Sequence, residues 1–264
     1  MNGDRTHYVI LFQGRAGSSY LVDVLARLPG VVAGGEDIAD MAPPSGSIVR
    51  RLRWLVRPAP AETPAAVQVE YARWFYATPR EGARAIGFKT KVKDIYDHAL
   101  MGRVLNEMEV RAIVLERRNL VKQAVSRLNA ARLHEARGHW NRRAARSPLG
   151  PFAPDPEIFD LTLRRVAFAQ EMLDAFVTYL GAPTLRLEYE DLVRDRTAWF
   201  ASVCRFLGLP PAEPTSSLGK NTPDDLRAVL VNVDVLRARY EGTPYAPQFD
   251  EVTVSAAPAD EGAV

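Results

Sequence analysis

Five consecutive apolar residues, Tyr8 to Phe12 (YVILF), run into the glycine-containing loop QGRAGSS, and the loop runs into a segment with Leu21, Val24, Leu25 and Leu28 at helical spacing. An unbroken apolar run of this kind suits a strand covered on both faces. The helical pattern spans Tyr20 to Leu28, and Pro29-Gly30 stops it. A strand, a tight loop and a helix start in immediate succession form an anion trap. The first N–H groups of the helix lack intrahelical partners, and the helix dipole favours negative charge at that end. Gly14 and Gly17 permit sharp turning and close backbone approach, Ser18 and Ser19 offer hydroxyl donors, and Arg15 adds a fixed cation in fork geometry.

The alternation continues along the chain. VRAIVL, from Val110 to Leu115, is a second buried strand, followed by polar residues and a helix from Leu120 to Leu133. Ala85 to Lys89 and Thr184 to Leu187 are shorter strand candidates, and Val67 to Tyr76, Phe159 to Leu180 and Ala198 to Leu207 are helical. Strands alternating with helices predict an α/β fold with a parallel sheet covered on both faces. With 264 residues, 47% hydrophobic and 25% charged, the chain is neither disordered nor fibrous. The expected organisation is one domain over residues 1–249 with irregular insertions at 41–84 and 133–156, then an acidic, solvated tail at 250–264. Cys204 is the only cysteine, so no internal disulfide forms, which points to a reducing compartment. No leader is visible and no apolar run reaches the ~18 residues of a membrane span, so the expected location is cytoplasmic.

The net charge of +2 conceals a local imbalance. Between Arg117 and Arg146 nine basic residues face a single acid, Glu135, which suits a small anionic ligand better than a bulk polyanion. The anion is not set by the first loop alone. A nucleoside triphosphate loop reads GxxxxGK[ST] and a dinucleotide loop GxGxxG, and both patterns are absent. The run RRNLVKQAVSR, Arg117 to Arg127, lies at the carboxyl end of the second strand, where α/β sheets place ligands. Arg118 and, eight positions on, Ser126 are placed to meet a further phosphate; Arg117 is an alternative to Arg118, and the spacing favours Arg118.

Taken together, these segments resemble the sulfotransferases that use 3′-phosphoadenosine-5′-phosphosulfate (PAPS). GRAGSSY is similar to the family's 5′-phosphosulfate loop, written PKSGTTW or PRSGS, and RNLVKQAVS to its 3′-phosphate site. LEYEDLVRD followed by CRFLGL is similar to the YEDL stretch and the helix ending in FLGL. LGKNTPDDL is similar to a basic loop of bacterial, carbohydrate-acting members. The resemblance implies a P-loop-kinase-like three-layer fold with a central parallel sheet of about five strands. It also implies PAPS as co-substrate, no catalytic metal, and a small-molecule or glycan acceptor rather than nucleic acid.

It implies roles residue by residue. Arg15 stands where many members carry a catalytic Lys, and would act as an electrostatic clamp because Arg cannot deprotonate. Lys89, in GFKTK, resembles a second lysine near the transferred group. Ala16, Gly17, Ser18, Ser19 and Tyr20 are the expected phosphosulfate loop, Arg118 and Ser126 the expected 3′-phosphate ligands, and Tyr189 and Lys220 further cofactor-proximal positions. The family's basic His is replaced here by Lys91, which at an ordinary pKa is no base. Glu36, behind Gly34-Gly35, stands where carbohydrate-acting members place a carboxylate base, with His98 as an outside candidate. Trp140, His134, His139, Arg142 and Arg143 lie in the 133–156 insertion, where acceptor specificity is expected. A small-molecule kinase and a non-catalytic polyanion-binding module remain alternatives. The acceptor is unnamed and the oligomeric state, a homodimer among the options, is open.

Overall fold

The computed structural model describes residues 5–39, 63–140, 147, 149–220 and 222–253. In chain order the first half forms β1 (Thr6–Phe12), α1 (Ser18–Leu25), β2 (Val31–Gly34), α2 (Pro64–Ala77), β3 (Ala85–Thr90), α3 (His98–Glu107) and β4 (Arg111–Glu116). The second half forms α4 (Leu120–Arg137), α5 (Pro156–Leu180), β5 (Thr184–Glu188), α6 (Tyr189–Arg194), α7 (Arg196–Leu207) and α8 (Val233–Arg239). The five strands are parallel in the order β2-β3-β1-β4-β5, with β1 central.

Strand alternation divides the core into two layers. Val9, Leu11, Ile86, Phe88, Ala112 and Val114 face α2, α3 and α5, whereas Tyr8, Ile10, Phe12, Ile113 and Leu115 face α1 and α7. This is the three-layer α/β arrangement expected. A smaller apolar cluster joins α4, α5 and α8 through Val121, Val125, Phe159, Leu163 and Leu236. Gly87 has a steric reason to be glycine. A Cβ there would lie 2.4 Å from the Tyr8 ring, which crosses β3 so that its hydroxyl can donate to Val32 O at 3.1 Å.

Several elements differ from expectation. The first helix begins two residues earlier, at Ser18, and ends at Leu25. The helix after β4 continues to Arg137, where Gly138 at φ 71° caps it, so the 133–156 insertion begins as helix. β2, α3 and α6 were not anticipated. Much of the 41–84 insertion, together with Arg142 and Arg143, lies outside the described residues, but its last part is α2, capped by Thr63. The acidic tail starts docked rather than solvated. Asp250 pairs with Arg237 at 2.9 Å, Glu251 accepts from Asn119 at 2.8 Å, and the Thr253 N–H donates to Asp224; residues 254–264 lie outside the described residues. Among the described residues no helix is long and apolar enough to cross a membrane.

Candidate active site

The carboxyl ends of β1, β3, β4 and β5 converge on the loop after β1. That loop turns through two left-handed residues, Arg15 at φ 75° and Gly17 at φ 88°. Glycine adopts this conformation freely, but arginine does so at a cost that the surroundings must offset. Here α4 supplies the hold. The Gln123 amide, fully buried, donates to Gly14 O at 2.9 Å, and Arg15 Nε donates to Ser126 Oγ at 3.2 Å. A second donation runs from the Arg15 guanidinium to the Trp140 carbonyl at 3.3 Å. Burial pulls the Arg15 guanidinium down to about 10, with Tyr189 opposing and Arg117 adding to the effect, so it stays cationic at neutral pH. Gly17 is the N-cap of α1 and brings no side chain to satisfy the helix's first N–H groups. A Cβ on Gly17 would meet Leu192 at 3.2 Å and Tyr189 at 3.4 Å, so the loop lies tight against α6.

A cleft of about 440 Å³ opens over this helix start. Gly17, Ser18, Ser19 and Tyr20 line one side, Arg117 and Ser126 another, and Tyr189, Arg196 and the stretch 218–220 complete the wall. The loop after β1 and the run after β4 therefore face the same space. The side chain of Ala16 is core, packed beneath the loop. Burial raises the pKa of Tyr20, whose hydroxyl has no hydrogen-bond partner among the described residues.

Of the two adjacent arginines, Arg117 faces the cleft. It is only 6% exposed, its guanidinium lies 4.5 Å from the Tyr189 ring centroid, and its buried Nε has no hydrogen-bond acceptor among the described residues, with Glu190 Oε1 at the longer distance of 3.8 Å. Arg118, favoured by the eight-residue spacing, is instead half exposed and turned outward onto Glu188 at 2.9 Å and Glu251 at 3.5 Å. The Glu190 carboxylate fixes this crossing by accepting from the backbone N–H groups of Arg118 and Asn119. Lys220 lines the cleft and pairs with Asp224 at 3.2 Å. Asp224 also holds Lys122, 3% exposed, at 2.7 Å, a buried pair that sequence reading missed.

On the other side of the loop, Glu36 sits between two lysines. Lys89 Nζ is 3.2 Å from one carboxylate oxygen and donates to Ser19 Oγ at 3.1 Å, and Lys91 Nζ bonds the other oxygen. Both ammonium groups lie 5.2 Å from the Phe12 ring centroid. Burial pushes the Glu36 carboxyl up, but Lys89 and Lys91 together hold it below the usual range. Burial lowers the Lys89 pKa against the opposing pull of Glu36. His98 stands apart, on Val92 O and the Phe176 ring. The Gln68 amide, fully buried on α2, ties the neighbouring loops by donating to Ile38 O at 2.8 Å and Asp94 O at 2.7 Å. Trp140 is exposed and stacks on His134 with centroids 4.4 Å apart.

A larger cavity, about 970 Å³, lies at the amino end of the strands beside His7, Arg84 and Arg111. It contains none of the loop, lysine or carboxylate groups described above. Ligands of open α/β sheets bind at the carboxyl end, so the smaller cleft is the candidate active site.

No family model matches the chain, and no curated protein matches it. Among solved structures it is similar to a sulfotransferase from Alicyclobacillus acidocaldarius at 16% identity, covering 92% of both chains with a TM-score of 0.49. It is also similar to the sulfotransferase domain of the Synechococcus PCC 7002 olefin synthase at 19% identity, covering 97% of this chain and 92% of that one with a TM-score of 0.43. A third is the sulfotransferase STF9 from Mycobacterium avium at 12% identity, covering 95% of this chain and 79% of that one with a TM-score of 0.45. Likenesses this distant leave the chemistry to be argued from the site itself.

Proposed function

We propose that the chain is a sulfotransferase that moves a sulfuryl group from PAPS to an acceptor hydroxyl, on a carbohydrate, a glycolipid or a small natural product. One observation carries the reading. The N-terminus of α1 and the Arg117–Ser126 pair, two anion sites contributed by two neighbouring strands, line one cleft of about 440 Å³. That volume is within the range of small-molecule sites. A nucleotide with phosphate at both ends of its ribose suits this pairing, and the Arg117 Nε and Tyr20 hydroxyl are buried donors without a hydrogen-bond acceptor among the described residues. When bound, PAPS supplies an activated sulfuryl group on a phosphate leaving group.

The chain's own residues supply position and charge. Gly17, Ser18, Ser19 and Tyr20 offer backbone and hydroxyl donors at the helix start, and Arg117 and Ser126 hold the far phosphate, with Tyr189 beneath Arg117 and Lys220 at the rim. Lys89, on Ser19, and Arg15, on Ser126, stabilise negative charge as it develops on the leaving oxygens, the largest contribution such sites make. Glu36, kept ionised by its two lysines, accepts the acceptor hydroxyl proton as the new oxygen–sulfur bond forms. The test is calorimetry with 3′-phosphoadenosine-5′-phosphate (PAP) together with a PAPS transfer assay in EDTA. PAP binds, transfer proceeds without metal or ATP turnover, and Glu36→Gln retains PAP affinity while losing transfer. Absence of PAP binding sinks the proposal.

A further inference from the structure

On the side of the Gly14 turn away from the nucleotide cleft, Lys91, Lys93 and Arg127 line a small depression floored by Met172. Lys91 is the link to the chemistry. Its Nζ bonds Glu36, and its Cε lies 3.9 Å from where a Gly14 Cβ would be. Lys93, half exposed, has among the described residues a long pairing with Asp94 at 3.7 Å, and Asp94 also faces Lys91 at 3.6 Å. Arg127 is exposed and makes no hydrogen bond or ion pair among the described residues. Lys89 and Lys91 are thus set against Glu36, and Lys91 and Lys93 against Asp94, with Arg127 lining the same depression and Arg15 on the other side of the turn. The nucleotide side accounts for Arg15 and Lys89. Lys93 and Arg127 face solvent across the depression they share with Lys91, whose Nζ bonds Glu36.

We infer that the acceptor carries an anionic group, a carboxylate or a phosphate, close to the hydroxyl that is sulfated, and that Lys93 and Arg127 recognise it. The inference rests on the sulfotransferase reading and deepens it. Cations outside a reacting centre select among acceptors by charge complementarity, and a like-charged or neutral acceptor forfeits their contribution. Arg127 offers a planar fork suited to either anion, and Lys93 a mobile point charge. Ala169, Met172 and Leu173 add apolar surface to the lining beside Gln13.

The experiment uses the full chain with PAPS and matched acceptors: a methyl glucoside, the corresponding uronide and its phosphate ester, and a phenol carrying the same three substituents. Product mass reads transfer, and saturation-transfer NMR on the PAP-saturated protein reads binding of each compound. The anionic members are expected to bind and react roughly ten- to a hundredfold better than their neutral parents, the value of one charge-assisted hydrogen bond. Arg127→Ala and Lys93→Ala bring that ratio toward one, and Arg127→Lys restores part of it, with PAP affinity as the control for folding. The uronide and phosphate arms separate the two anions. Neutral acceptors that match the anionic ones, or a preference that survives both substitutions, overturn the inference. A protein that does not bind PAP overturns the sulfotransferase reading instead, and the NMR comparison without nucleotide then decides the rim on its own.

Discussion

A buried guanidinium nitrogen with nothing to donate to costs the fold about 1–3 kcal/mol. Arg117 carries an Nε with no hydrogen-bond acceptor among the described residues in the wall of the cleft, while its neighbour Arg118 spends its charge on two surface carboxylates. The two residues should therefore separate cleanly by calorimetry with PAP. Arg117→Ala is expected to lose one to two decades of affinity, since a charge-assisted hydrogen bond contributes about 1.5–3 kcal/mol. Arg118→Ala is expected to stay within about threefold, because exposed ion pairs contribute about 0–1 kcal/mol. Equal losses would return the phosphate contact to Arg118. The eight-residue spacing to Ser126 points at Arg118, whereas the structure turns Arg117 into the cleft, and the reason for the difference is geometric. At a strand end adjacent side chains leave on opposite sides, so two neighbouring arginines are indistinguishable until the crossing is fixed. What fixes it is Glu190, which accepts from the N–H groups of Arg118 and Asn119 from more than seventy positions away, at |i−j| of 72 and 71. The buried Lys122–Asp224 pair was invisible for the same reason, its partners being 102 positions apart.

At the scale of elements, β1 and β4 were legible because central strands are buried on both faces and read as continuous apolar runs. β2 was not. Its four residues, VVAG, are only partly buried at the sheet edge and leave no periodicity to read. Helix α3 carries Gly102 in its middle, a residue of low helix propensity. Here it lets α5 approach, since a Cβ would lie 2.8 Å from the Tyr179 ring. Helix α2 has a role beyond packing. Its Gln68 joins the loop carrying Glu36 to the loop carrying Lys91 and also accepts from the Tyr96 N–H at 2.9 Å. Replacing it with the similarly sized Leu leaves two carbonyls and an N–H without that partner. Gln68→Leu is expected to lose about 2–4 kcal/mol of stability by urea unfolding, as buried polar groups left unmade cost about 1–3 kcal/mol each and relax in part. Turnover should fall further than PAP affinity does, because the loops that loosen hold Glu36 and Lys91, while the nucleotide cleft is held by α1 and α4. Parallel losses in both would show that Gln68 acts on the fold alone.

Across the whole molecule, an apolar sheet core carries an ionic rim. Three carboxylates clamp that rim: Asp23 joins α1 to Ser216 and Ser217, Glu36 joins the segment after β2 to Lys89 and Lys91, and Asp224 joins Lys122, Lys220 and the Thr253 N–H. Burial pushes each carboxyl up, yet hydrogen bonds and cations leave all three below their ordinary values of 3.8 for the aspartates and 4.5 for Glu36. A carboxyl with a depressed folded pKa contributes stability in full above its unfolded pKa and loses it as pH falls through the folded value. Glu116 runs the other way. Burial raises it despite Arg186, so its protonation on acidification favours the folded state. Lys89, lowered by burial, costs the fold stability while charged, and that cost fades as pH climbs past its folded value. Three clamps against one opposing carboxyl set the sign on the acid side. Urea midpoints should therefore hold level from pH 7 to about 5 and decline below about 4, where the three clamps protonate. Asp224→Asn should lower the midpoint at pH 7 and flatten the acid decline, since the variant has one clamp fewer to titrate. A decline beginning near pH 6, or one as steep in Asp224→Asn as in the parent, would mean that other groups govern acid stability and that the rim is not held by these carboxylates.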